Sequence, residues 1–380
     1  MARDFAAGEI RPYSPGWDAA RELDGGVFDK LSELGFMGMQ VPEEYGGLGF
    51  DAGTYLLALE ELAWGDAAVA LTVAIHNGPV ASLLLAHGSD EQRQRYLPAM
   101  ASGEVLTAFS LSEKGAGSDA GGLGCEAARD GEGWVLTGEK RWVTNGARAG
   151  MVVVFARTNP SAEGAHGIGA FLVDPSAKGY SVTGRETTMG LSASETVSIR
   201  LDGVHVGASA VVADSEQGFR YALEALDIGR LGIGAQAVGI AQAAFEHAVA
   251  YALERKQFGR PIAEFGAIGD KLADMAVRIA GARALVHSVA AVMDAGSFGS
   301  GADSRPALAA SAKLQGSETA SWVADEAVQI FGGYGYMRDY PVEKLMRDAK
   351  GTEIYEGTSE ILRIVIARDV LSEAADGHNN

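Results

Sequence analysis

A chain of 380 residues with 47% hydrophobic and 21% charged side chains exceeds what one core usually holds, so two or three packed units are expected. Its formal charge of −19 excludes a protein whose main business is coating nucleic acid or acidic lipid, because those partners need a dense positive surface. One cysteine, Cys125, excludes an intramolecular disulfide framework and a cysteine-based zinc site, and fits the cytoplasm best.

The start, Met1-Ala2-Arg3-Asp4, lacks the apolar run of a signal peptide, and no stretch approaches the roughly 20 apolar residues of a membrane span. From there to about residue 105, apolar clusters recur at helical spacing between breakers at Gly46-Gly47, Gly88-Ser89-Asp90 and Gly103. Residues 1–105 therefore read as a helical domain. Residues 106–212 hold short runs rich in Val, Ile, Phe and Thr, at 134–137, 151–157, 168–173, 180–183 and 196–206. They predict a middle β-domain, a small antiparallel sheet or barrel.

Residues 213–380 return to long helices. Leu272, Met275, Ile279, Ala282, Val286, Val289 and Met293 recur at three- and four-residue steps up to the breaker Gly296-Ser297-Phe298-Gly299. Val238, Ala241, Phe245, Val249 and Ala252 repeat the pattern one helix earlier, and Leu314, Ala320, Val323, Ala327 and Phe331 one helix later. With the segment after Ile361 these make four helices, which an antiparallel bundle buries economically. A charged helical run separates the last two, and the polar tail from Ser372 to Asn380 is expected to fray. Gly232, Gly234 and Gly239 sit inside the first of these helices, where each costs about 1 kcal/mol relative to Ala. Something must approach that backbone closely, and a neighbouring helix is favoured over a flat ligand.

Familiar signatures fail in context. Gly115 to Ala120 and Gly232 to Ala237 fit a loose dinucleotide pattern, but neither lies between a strand and a helix of a βαβ unit. There is no P-loop, no HExxH and no GxSxG, and the seven histidines are scattered singly. No metal site is expected.

What remains is a set of segments in order. Val41-Pro42-Glu43-Glu44-Tyr45-Gly46-Gly47 is followed by Ala108-Phe109-Ser110-Leu111-Ser112-Glu113-Lys114-Gly115-Ala116-Gly117-Ser118-Asp119 and Gly138-Glu139-Lys140-Arg141-Trp142-Val143-Thr144-Asn145-Gly146. Then come Asp227-Ile228-Gly229-Arg230, Glu254-Arg255-Lys256-Gln257-Phe258-Gly259, Gln329-Ile330-Phe331-Gly332-Gly333-Tyr334-Gly335 and Tyr355-Glu356-Gly357-Thr358-Ser359-Glu360. Over nearly its whole length the chain resembles the acyl-CoA dehydrogenase family.

The resemblance implies an α+β multidomain fold: an N-terminal helical domain, a middle β-barrel-like domain and a C-terminal four-helix bundle. It implies FAD bound noncovalently between the last two, and a homotetramer built as a dimer of dimers. Phe109, Leu111 and Ser112 would line the flavin, with Trp142 and Thr144 on the same ring. Gly117 and Ser118 would let backbone approach phosphate or pantetheine. Arg255 suits the pyrophosphate, and with Gln257, Phe258, Gln329, Gly332 and Gly333 it would reach the neighbouring subunit's cofactor. Thr358 and Glu360 would contact the adenosine half. Asp227, Arg230, Tyr355 and Gly357 fall on the substrate side, Arg230 ordering the loop that carries Glu356.

The implied reaction is α,β-dehydrogenation of an acyl-CoA thioester to the trans-2-enoyl thioester. Glu356 takes the α-proton, the β-hydride leaves for the flavin, and an electron-transfer flavoprotein accepts the electrons. Family members place the base either in this Tyr-Glu-Gly-Thr turn or just before the arginine of the Asp-x-x-Arg segment. The second position is Gly229, so only Glu356 is available, and water exclusion should raise its pKa. Alternatives are an acyl group on a carrier protein, or a flavin oxidase or monooxygenase on the same fold, which usually lacks this glutamate. Departures from the pattern are Lys114 in place of proline, Gly266 where glutamine is common, Ser192 for a frequent arginine, and a start partway into the first helix.

Overall fold

Asp24, Asp51, Asp66 and Ser89 each turn a side-chain oxygen onto backbone N–H groups of the helix that follows, and these four caps punctuate the N-terminal domain. The computed structural model describes residues 1–377. Its first seven helices are α1 (Ala2–Phe5), α2 (Ser14–Ala20), α3 (Gly25–Glu33), α4 (Ala52–Gly65), α5 (Ala67–Ile75), α6 (Ala81–His87) and α7 (Asp90–Ala101). The breaker at Gly88-Ser89-Asp90 is a capping box, with Ser89 and Gln92 satisfying each other's backbone. A five-residue π segment, His76–Val80, joins α5 to α6. Together they form a stretch, Ala67–His87, long and apolar enough to span a membrane, contrary to the sequence reading. Most of it is buried inside the protein, as befits a core helix. The other such stretch, Gly266–Ala295, lies in the C-terminal domain and is only one-third buried.

The middle domain is a seven-stranded sheet: β1 (Thr107–Ser110), β2 (Glu126–Asp130), β3 (Gly133–Thr144), β4 (Met151–Arg157), β5 (Ile168–Val173), β6 (Tyr180–Arg185) and β7 (Thr196–Val206). Its order is β1-β4-β2-β3-β7-β6, with β5 on the other side of β4. The sheet is mixed, where the sequence suggested antiparallel. β1 runs parallel to β4 with Thr107 opposite Met151 and Ser110 opposite Val154. β1 and β2 escape sequence reading for a local reason: four residues are too few to show a period, and Glu-Ala-Ala-Arg-Asp has no β-branched or aromatic residue.

The C-terminal domain holds α8 (Gly218–Glu254), α9 (Gly266–Ala295), α10 (Arg305–Phe331), α11 (Pro341–Thr352) and α12 (Ser359–Gly377), linked in part by the two-residue strands β8 (Lys256–Gln257) and β9 (Arg260–Pro261). The charged run thus becomes a fifth helix, α11, added to the expected four. The expected fraying is not seen as far as Gly377, because α12 continues through it; residues 378–380 lie outside the described residues. The internal glycines of α8 are explained by helices. A Cβ on Gly239 would lie 2.2 Å from the carbonyl oxygen of Glu60 in α4, and one on Gly234 would lie 3.2 Å from that of Ala312 in α10.

Buried charge ties the three domains together. Lys344 Nζ of α11 donates to Asp348 Oδ2 (2.6 Å) and pairs with Asp66 Oδ2 (3.0 Å) at the start of α5. Asp66 also accepts from Ser14, and Asp348 Oδ1 accepts from the N–H of Leu191 in the middle domain (2.5 Å). Burial pushes the Asp348 carboxyl up, while the two carboxylates hold Lys344 charged against the cost of its own burial. A Lys344→Met variant strands two buried carboxylates and should lose about 3–5 kcal/mol of stability. Chemical denaturation against the parent chain measures it.

Candidate active site

Six residues, 353–358, separate α11 from α12, and two consecutive ones have left-handed backbone: Glu356 at φ 58° and Gly357 at φ 99°. Glycine adopts this freely, but a glutamate there stores strain that its surroundings must hold. Lys313 Nζ of α10 donates to the Gly357 carbonyl (2.7 Å) and Arg230 Nε of α8 to the Glu356 carbonyl (3.4 Å). Tyr355 Oη donates to Gln236 Oε1 (2.8 Å), whose amide is anchored on the Ala67 carbonyl (2.7 Å). The turn is therefore fastened to α8, α10 and α5 at once.

This turn lays the Glu356 carboxyl against Gly229. A Cβ on Gly229 would stand 2.8 Å from Oε2 and 2.9 Å from Cδ, so the missing side chain is the space the carboxyl occupies. Glu356 Oε2 is buried and has no hydrogen-bond partner among the described residues. Burial pushes the carboxyl up to about 7, against the opposing pull of the Arg230 and Lys313 cations. A carboxylate without a partner, poised near neutrality, has the character of a general base.

Arg230 is itself buried and pairs with Asp227 Oδ1 (3.1 Å), which Arg305 approaches from the other side (3.5 Å). Burial raises the Asp227 carboxyl to about 6. Lys313 is the residue that sequence reading missed. It is fully buried, and burial pushes its ammonium down to about 8. Its only signal was a cation inside the apolar run Ala309-Ala310-Ser311-Ala312 on a packed helix.

The expected flavin residues gather on β1 and β3. Lys140, fully buried, donates to the Leu111 carbonyl (3.0 Å) and to Glu113 Oε1 (2.7 Å), and the Arg141 N–H donates to the Ser112 carbonyl (2.9 Å). These bonds hold the segment after β1 against β3, which carries Trp142 and Thr144. Trp142 sits at φ 58° with half its surface open (51%), and the Oγ of Ser110 is buried without a partner among the described residues. Phe109 is half-buried, while Gly117 and Ser118 lie exposed with open space where a Gly117 Cβ would be. An exposed aromatic face, an orphan hydroxyl and an open glycine turn fit a flat, phosphate-bearing group such as FAD. The π segment links this strand to the base: His76 Nδ1 meets Thr107 Oγ1 (3.0 Å) and a Cβ on Gly78 would touch the Gly229 Cα at 3.7 Å. Burial pushes His76 down to about 4, so it is neutral.

The remaining expected residues lie elsewhere. Arg255 stands over the Tyr334 ring (5.3 Å), and Gln257, Phe258, Gln329, Gly332 and Gly333 are exposed around it. Along α8 this cluster is roughly 37 Å from Arg230 at 1.5 Å per residue. Thr358 accepts from the Ile361 N–H at the start of α12 (3.4 Å), with Glu360 exposed beside it.

Comparison with known proteins agrees with the three-domain fold. Models of the acyl-CoA dehydrogenase N-terminal, middle and C-terminal domains match residues 1–104, 108–204 and 216–371. An acyl-CoA dehydrogenase of Bacillus subtilis is 43% identical, covering 98% of this chain and 96% of its own. Butyryl-CoA dehydrogenase of Megasphaera elsdenii superposes with a TM-score of 0.94 at 39% identity, covering 97% and 96%. A chain from the structure of the electron transferring flavoprotein of Acidaminococcus fermentans superposes at 0.93 with 40% identity, covering 98% and 96%. The chain belongs to the acyl-CoA dehydrogenase family, whose members are FAD-dependent oxidoreductases.

Two variants test the geometry around Glu356. Gly229→Ala should fold, because the group it meets is the free end of a flexible side chain. It should displace the carboxyl and slow flavin reduction by about 10²-fold, read by stopped-flow absorbance with thermal stability as control. Lys313→Met removes a cation that holds Glu356 ionised, so the acid limb of the kcat/KM profile should move above its parent position.

Proposed function

We propose that the protein oxidises short-chain acyl-CoA thioesters to trans-2-enoyl-CoA, with Glu356 removing the α-proton. The observation that carries this reading is the Glu356 carboxyl against Gly229, pushed up to about 7, its Oε2 buried and without a hydrogen-bond partner among the described residues. The thioester α-proton is weakly acidic, so the base must sit in a water-poor site, and its ionised form must be available at neutral pH. Arg230 and Lys313 serve both needs: they fix the carbonyls of the turn and keep a carboxylate affordable in that setting. Bound FAD supplies the hydride acceptor. Phe109, Leu111, Ser112, Trp142 and Thr144 would hold its flavin, and Thr358 and Glu360 its adenosine half. The Asp227–Arg230 pair, Tyr355 and Gly357 line the substrate side, with Ser118 toward the CoA tail. A short acyl chain follows the butyryl-CoA dehydrogenase likeness, and an electron-transfer flavoprotein is the electron acceptor this family membership favours.

A second copy of the chain completes the cofactor site in this reading. Phe258 (94% exposed) and Tyr336 (87%) stand open beside Arg255, Gln257, Gln329 and the Gly332-Gly333 pair. Large apolar groups left in water next to residues suited to pyrophosphate call for a partner surface. A homotetramer built from such dimers, working in the cytoplasm, accords with the acidic, disulfide-free chain.

Glu356→Gln should keep its flavin and bind butanoyl-CoA, yet reduce its flavin about 10²–10⁴-fold more slowly. Unchanged reduction in an anaerobic mixing experiment would overturn the role of Glu356. Because the active form is the carboxylate and its pKa is raised, kcat/KM should climb about tenfold per pH unit below about 7 and level off above it. Arg255→Ala should lower both FAD content and the assembled fraction in light scattering, since the two are coupled through the same surface.

A further inference from the structure

Arg305 is the first residue of α10, at the end of the helix where a cation faces the positive pole of the backbone dipole. A cation in that place calls for a compensating contact, and α8 supplies one. Arg305 Nη2 donates to the Glu224 carbonyl (3.0 Å), and its Nε stands 3.5 Å from Asp227 Oδ2, close enough for an ion pair but without a hydrogen bond. The other oxygen of that carboxyl, Oδ1, accepts from Arg230 Nη1 (3.1 Å), and Arg230 Nε in turn reaches the Glu356 carbonyl. The side chains of Asp227 and Arg230 are each only 7% exposed, so neither has water to fall back on.

One buried anion thus lies between two cations from different helices, and only one of the two touches the turn that carries Glu356. The charges that face Asp227 are Arg230 and Glu224 on α8, the latter paired with His87 of α6 (2.7 Å), and Arg305 on α10. Those that face Glu356 are Arg230 and Lys313, with the Tyr55 and Tyr355 hydroxyls nearby. Arg230 has two carboxyl groups in range, yet its bonds go to Asp227 and to a turn carbonyl, which leaves Glu356 Oε2 unpaired among the described residues. An uncharged Asp227 would release Arg230 to pair with the Glu356 carboxylate and weaken it as a base. We infer that Arg305 is a positioning residue for the reaction: its charge keeps Asp227 an anion, and Asp227 keeps Arg230 on the turn and off the base. Burial already brings the Asp227 carboxyl up to about 6, so the loss of one facing cation carries its titration toward the neutral range. The inference rests on the dehydrogenase reading and deepens it.

The test compares Arg305→Met and Arg305→Lys with the parent, all FAD-loaded, by anaerobic flavin reduction with butanoyl-CoA between pH 6.5 and 8.5. Arg305→Met should run close to the parent rate at the upper pH, where Asp227 is still ionised, and about threefold or more below it at the lower one. Arg305→Lys should restore the parent profile, because Arg305 meets Asp227 as a charge and not through a hydrogen bond. A second readout needs no turnover. Arg305 stabilises only the ionised form of Asp227, so the thermal midpoint of Arg305→Met should fall further below the parent's at pH 8 than at pH 5. Equal slowing of Arg305→Met at both ends of the pH range, or a parent rate at pH 6.5, would overturn the role while leaving the activity intact. Should that variant not accumulate, Asp227→Asn decides the matter: it imitates the protonated carboxyl and should be slow at every pH, and parent-like rates in it overturn the role. Failure of butanoyl-CoA to bleach the parent enzyme's flavin would instead overturn the activity, and the positioning role with it.

Discussion

A single carboxyl group taken out of water against the bare backbone of Gly229 organises the proposed catalytic half of this molecule. Isolated, an ionised carboxylate there would be prohibitively costly. Two cations make it tolerable without neutralising it by direct contact: Arg230 and Lys313 bond the carbonyls of the turn, not the carboxyl. The proton affinity of Glu356 is thus set by distance and burial, and its reach by a left-handed turn that the same two cations hold in place.

The rest of the fold can be seen as the means of keeping that arrangement fixed. The Lys344–Asp66–Asp348 cluster locks α11, immediately before the turn, to the first and second domains. His76 and Gly78 run the other way, from the flavin strand β1 to the Gly229 platform. The segment after β1 is fastened by the buried Lys140, so one lysine positions the expected flavin edge and another the expected base. Both are buried cations fixing backbone carbonyls, a use of lysine that trades desolvation cost for geometric certainty.

Much of this was legible beforehand for reasons that lie in short stretches of chain. Glutamate at 356 beside Gly357, with glycine at 229, nominates the proposed base through the family resemblance and without any coordinates. The long amphipathic repeats of α9 and α10 give their own buried faces, and the runs at 151–157 and 168–173 have the same limits as strands and in space. Lys313 was not legible. It stands on a helix whose local pattern looks like ordinary packing, and its meaning arises only from what a distant segment brings to it.

Sequence by itself determined the layers, the family likeness and which carboxylate to propose as the base, because periodicity, capping and motif spacing are properties of neighbours along the chain. Tertiary structure alone decided that the sheet is mixed, that the charged helical run buries Lys344 and Asp348, and that Gly229 is a seat for a carboxyl. These depend on which surfaces meet. A parallel strand pair and an ion pair buried between domains are fixed by contacts between segments dozens to hundreds of residues apart, and no local pattern encodes them.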